Sequence, residues 1–156
     1  MQADKQKLIL NLQKHNIVFY DGQCYFCHAA VNFIIQRDSK ALFLFCPVQT
    51  ELATQLLQQY KVDMATQDTL YLLQGHRLYT FSSAAIAISK QLDGFWFLCA
   101  VFSIIPKRLR DYLYRSFAKR RYRWFGQSQS CILPTEAVRS RFIGFNTVAI
   151  NSNFLL

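Results

Sequence analysis

Glycine and proline are sparse in this chain, with five of one and three of the other among 156 residues. Neither clusters, so no linker, repeat or low-complexity stretch divides the sequence. No glycine-rich loop of the G-x-G-x-x-G or P-loop kind occurs, and no organic cofactor is expected. The five cysteines, Cys24, Cys27, Cys46, Cys99 and Cys131, are odd in number and scattered, which excludes a disulfide framework. Long apolar runs are missing too. The longest covers residues 95–105 and is interrupted only by Ser103. It falls well short of the ~20 residues a membrane-crossing helix needs, and reads as a buried helix. Met1-Gln2-Ala3-Asp4-Lys5 leads into no apolar signal region, so a cytoplasmic location is expected. Thiols stay reduced there, and a close cysteine pair then points to catalysis or metal binding rather than to a structural cross-link.

The remaining composition is that of a folded domain. Hydrophobic residues make up 52% and aromatics 15%, too much for a disordered chain. The length suits one domain with its own core. Ile17-Val18-Phe19-Tyr20 reads as a buried strand ending at Asp21-Gly22. Over residues 25–37 the apolar positions recur at helical spacing. Leu42-Phe43-Leu44-Phe45 forms a second strand, stopped before Pro47, and Thr50 caps a helix reaching about Tyr60. Strand, helix, strand in so few residues implies a parallel pair.

Residues 69–73 and 77–81 flank Gln74-Gly75-His76 as an antiparallel hairpin. Ser82-Ser83 is expected to cap a helix running to about Leu92. The order β-α-β-α-β-β-α is the thioredoxin-like arrangement, an α/β fold with a central mixed sheet flanked by helices. Additional C-terminal helices follow: residues 95–105, a long helix from Pro106 to about Trp124, and a short one near residues 135–142. The expected organisation is one domain over residues 1–143 and a loosely held tail over residues 144–156.

Cys24 and Cys27 are the only cysteines that form a motif. Three residues apart at a helix start, they lie on one face and can close a disulfide with little backbone movement. Cys24 falls at the first turn, where unpaired N–H groups and the helix dipole favour a thiolate. It is the expected nucleophile. Cys27, one turn further in and expected to be the more buried, would resolve the mixed disulfide. Asp21 is a candidate proton acceptor for Cys27, and equally a residue that satisfies backbone donors in the turn. The competing reading is a zinc site, which needs two further ligands, usually as a second close pair. No such pair exists, so the site would have to be assembled from Cys24, Cys27, His28 and the distant Cys131.

Phe19-Tyr20-Asp21-Gly22-Gln23-Cys24-Tyr25-Phe26-Cys27 resembles the DCC family of predicted thiol-disulfide oxidoreductases, whose signature is Asp-Gly-x-Cys-x-x-Cys after a strand. The likeness continues through Ile34-Ile35-Gln36-Arg37-Asp38, Pro47-Val48-Gln49, Ile105-Pro106-Lys107-Arg108-Leu109-Arg110-Asp111, Tyr122-Arg123-Trp124-Phe125-Gly126 and Cys131-Ile132-Leu133-Pro134. It implies a thioredoxin-like fold and dithiol chemistry, and makes Cys131 a candidate third redox partner; the expected client of the dithiol is a disulfide-bearing protein or a small thiol. One departure from ordinary thioredoxins stands out. They carry a cis-proline before the third strand, whereas Ala65-Thr66-Gln67-Asp68-Thr69 has none, leaving Asp68 or Thr69 to line that groove.

Outside the motif, Cys46 and Cys99 read as inert core residues, and His28 as a residue on the solvated side of its helix. Residues 107–123 hold eight Lys or Arg against one acid, Asp111, or +7 of the chain's +9. Interleaved aromatics admit nucleic-acid or anionic-membrane binding. The simpler reading is a helix with a solvated positive face, able to steer an acidic partner toward the dithiol.

Overall fold

A computed structural model describes residues 15–62, 70–126 and 136–144. Its elements are β1 (Asn16–Tyr20), α1 (Tyr25–Gln36), β2 (Phe43–Pro47), α2 (Glu51–Gln58), β3 (Tyr71–Gln74), β4 (Arg77–Thr80) and α3 (Phe81–Ser89). A 3₁₀ segment (Phe95–Ile104), α4 (Lys107–Phe125) and α5 (Glu136–Arg139) follow. The four strands form one mixed sheet in the order β2-β1-β3-β4. β1 and β2 are parallel, and the β1/β3 and β3/β4 pairs are antiparallel. This is the thioredoxin-like α/β fold expected from the order of elements.

The alternation of a strand sorts the core into two layers. Ile17 and Phe19 of β1 join Leu44, Cys46 and Leu73 under Ala53, Leu56 and Leu57 of α2. Val18 and Tyr20 point the other way, onto Cys27, Val31 and Ile34 of α1 and Ala84 and Ile88 of α3. Both faces of β1 are therefore covered, which explains its unbroken apolar run.

Several expectations need correction. β2 continues through Pro47, paired with Tyr20, because an edge strand tolerates a residue without an N–H. The outer edge of β2 is closed by the C-terminal segment: Phe45 N–H donates to Arg141 O and Ile143 N–H to Phe45 O, each at 2.8 Å. Ser82 and Ser83 do not cap α3. Its N-cap is Thr80, with no side-chain cap bond, and both hydroxyls bond to Arg110 of α4 instead.

The largest difference concerns residues 95–105. They form a 3₁₀ segment with no buried residue, bounded by Gly94 at φ +90° and by Pro106. Cys99, read as a core residue, is half-buried there. An unbroken apolar run has no polar positions to mark an outer face, so its pattern cannot say whether anything covers it. Among the described residues no helix is long and apolar enough to cross a membrane. The expected tail from residue 145 onward lies outside the described residues, as do residues 63–69 and Cys131.

Candidate active site

β1 ends at the carboxyl edge of the sheet, and the turn Asp21–Cys24 carries the chain into α1. The Cys24 N–H donates to Asp21 O at 3.3 Å, and Cys24 is the N-cap of α1 in an extended conformation. Cys27 lies in the first turn. The two thiols are neighbours and both are free, as a dithiol. Both are buried, Cys24 at 0% exposure and Cys27 at 6%. This reverses the expected order of burial. The extended N-cap conformation tucks Cys24 into the core between sheet and helix rather than leaving it at the helix tip.

Burial pushes the Cys27 thiol well above its ordinary range, opposed by the guanidinium of Arg121 and reinforced by Cys24 and Asp21. Arg121 is the functional side chain that sequence reasoning missed. It belongs to the basic run of residues 107–123, yet it is 3% exposed, and its Nη2 donates to Asp21 Oδ2 at 3.0 Å. A signal was present. Tyr114, Ala118 and Arg121 recur at helical spacing on the inner face of α4.

Asp21 is fully engaged. Its Oδ1 accepts from the Gln23 N–H at 2.9 Å and from Gln49 Nε2 at 2.8 Å, while Oδ2 takes Arg121. Gln49 also accepts the Gly22 N–H through Oε1 at 3.1 Å. Its amide thus clamps both residues of the turn from the loop after the neighbouring parallel strand. A Cβ at Gly22 would sit 3.1 Å from Gln49 Oε1 and 3.4 Å from Pro47 Cβ, so a side chain there would press on this clamp.

His28 is also corrected. It is buried, not solvated, with its ring edge-on to Tyr20. Its Nε2 lies 2.8 Å from Gly22 O; a carbonyl only accepts, so Nε2 carries the proton. Tyr114 lies near Cys27, and its hydroxyl accepts the Leu70 N–H at 3.2 Å, pinning the entrance to β3. Among the described residues no three His, Cys, Asp or Glu side chains converge as metal ligands. Cys46 lies in the opposite layer of the core.

Dithiol, capping turn and inward arginine on this fold define a thioredoxin-like protein with a CxxC centre. The chain belongs to the DCC1-like thiol-disulfide oxidoreductase family, whose model matches residues 18–127. It is 36% identical over 129 residues to YuxK, an uncharacterized protein of Bacillus subtilis (strain 168), covering 83% of this chain and 94% of that one. It is 31% identical over 121 residues to a chloroplastic DCC family protein of Arabidopsis thaliana, covering 77% and 70%. No solved structure matches.

Proposed function

We propose that the protein exchanges electrons between the Cys24/Cys27 dithiol and a disulfide in a protein or a small thiol compound. The observation that carries this is the pair of adjacent thiols at the N-terminus of α1, in a family named for that chemistry. Cys24, closest to the helix N-terminus, is the nucleophile. As thiolate it attacks one sulfur of the client disulfide, forming a mixed disulfide and expelling the other sulfur as thiolate. Cys27 then loses its proton and attacks Cys24 Sγ. The Cys24–Cys27 disulfide forms, the second client thiolate leaves, and two electrons have passed to the client. An external dithiol must reduce the pair for another turnover, and the reverse sequence oxidises a client.

Arg121 favours the Cys27 thiolate at the second step. Asp21 acts through Arg121 and through the turn it orders, as a positioning residue. With three donors on its two oxygens, it is better placed for that than for taking the Cys27 proton.

The test is titration of the wild type, Cys24→Ser and Cys27→Ser in thiol redox buffer, with free thiols trapped and the disulfide located by peptide mass mapping. A reversible Cys24–Cys27 disulfide in the wild type, and a trapped mixed disulfide on Cys24 in Cys27→Ser, are expected. Absence of both rejects the reading.

A further inference from the structure

The 3₁₀ segment Phe95–Ile104 leaves most of its apolar side chains in water, while Trp96 packs edge-on against Phe33. Phe95 is 80% exposed, Val101 62% and Ile104 81%. The segment carries no charged residue, and a contiguous apolar surface of this kind marks an interaction site. Pro106 leads directly into α4, whose first half continues the patch on its outward side with exposed Leu109, Tyr112 and Leu113. The same stripe of the helix then turns basic, with Lys119, Arg120 and Arg123 exposed.

Two carboxylates border this surface against its many cations: Asp111 accepts from Ser82, and the exposed Asp93, just before the segment, accepts the Ser39 N–H at 2.8 Å. We propose that this combined surface docks on an anionic lipid bilayer. The 3₁₀ segment would lie in the interface, with the basic half of α4 against the headgroups.

Three observations select this occupant. Ten residues of 3₁₀ helix extend about 20 Å, against a hydrocarbon thickness of about 30 Å, which suits lying in the interface and not spanning. The segment holds Trp96 and the phenylalanines Phe95, Phe97 and Phe102, side chains that interfacial helices bury at the headgroup boundary. A second copy of the chain would bring another net charge of +9 against the basic stripe, whereas acidic headgroups neutralise it. The surface does not depend on the dithiol chemistry, so either reading can fail alone.

The test is co-sedimentation of the full chain with vesicles of phosphatidylcholine containing phosphatidylglycerol, and with phosphatidylcholine alone. Binding to the anionic vesicles, weakened by salt and accompanied by a blue shift of tryptophan emission, is expected. Replacing Lys119, Arg120 and Arg123 by Gln should weaken binding roughly a hundredfold. Phe97→Ser with Val101→Ser should abolish the blue shift while leaving thiol reactivity unchanged, which also shows that the variant folds. Cys24→Ser should bind like wild type. Absence of vesicle binding overturns the proposal. So does a concentration-dependent dimer lost in Phe97→Ser, which assigns the face to a second copy, and so does tighter binding to a protein or nucleic acid that excludes vesicles.

Discussion

Arg121 reaches across one hundred positions of sequence to donate to Asp21 at 3.0 Å, with both side chains 3% exposed. The pair ties α4 to the turn that presents the dithiol. Its charges act on Cys27 in opposite senses, the guanidinium favouring the thiolate and the carboxylate opposing it.

Arg121→Met leaves the Asp21 carboxylate buried with its cation gone. A loss of about 3–5 kcal/mol in urea unfolding is expected. Asp21→Asn combined with Arg121→Met should lose less than the two single variants summed, because the stranded charge is removed as well. Additive losses would show that the two groups are not coupled.

Stability should fall at alkaline pH. Burial pushes Cys46 up to about 12 from 9.0, and desolvation raises Cys27 as well. A group whose folded pKa is raised contributes stability that is fully present below the unfolded value. That stability is lost as pH rises toward the folded value, since the unfolded chain gives up its proton first. Between these limits each thiol contributes a slope of about −1.4 kcal/mol per pH unit. Cys46→Ala is less stable throughout but should show a shallower decline, measured as the urea midpoint against pH. An unchanged slope would mean that Cys46 is not held protonated by the fold.

Labelling of the two cysteines outside the dithiol, Cys46 and Cys99, should follow exposure. Cys24, Cys27 and Cys46 are buried and Cys99 is half-buried. Brief iodoacetamide treatment under native conditions, read by peptide mass mapping, should modify Cys99 before Cys46. Unfolding should bring the two to equal rates. Fast native labelling of Cys46 would contradict its place beneath α2.

The edge of β2 provides a stability test away from the site. Asp38, 1% exposed at its side chain, pairs with Arg141 and accepts the Leu42 and Phe43 N–H groups. Arg141→Ala strands that carboxylate and loosens the segment closing β2. A loss of about 3 kcal/mol is expected, seen as a melting temperature lower by roughly 10 °C. The dithiol's reactivity should not change, and a large change in it would show that the edge and the site are coupled.

Much of the site was legible because its determinants are local. The run Ile17-Val18-Phe19-Tyr20 followed by Asp21-Gly22 and the amphipathic period after Cys24 place a dithiol on a helix start, and the structure keeps it there. Thr50 caps α2 through its hydroxyl to Ala53 N–H, as its position suggests. Gln49 was less legible. Its role depends on the ends of β1 and β2 lying side by side, which parallel pairing creates and neighbouring sequence does not mark.

The sequence by itself determined the dithiol, the order of strands and helices, and the two-sided burial of β1. Each follows from turn chemistry, capping and hydrophobic period within a few residues. Only the tertiary structure decided which charges and apolar groups are covered. Arg121 goes inward because α4 packs that stripe beside Asp21. The run Phe95–Ile104 stays outward because no described element packs over its far side. Burial belongs to the neighbour as much as to the residue, and neighbours a hundred positions away leave no local pattern.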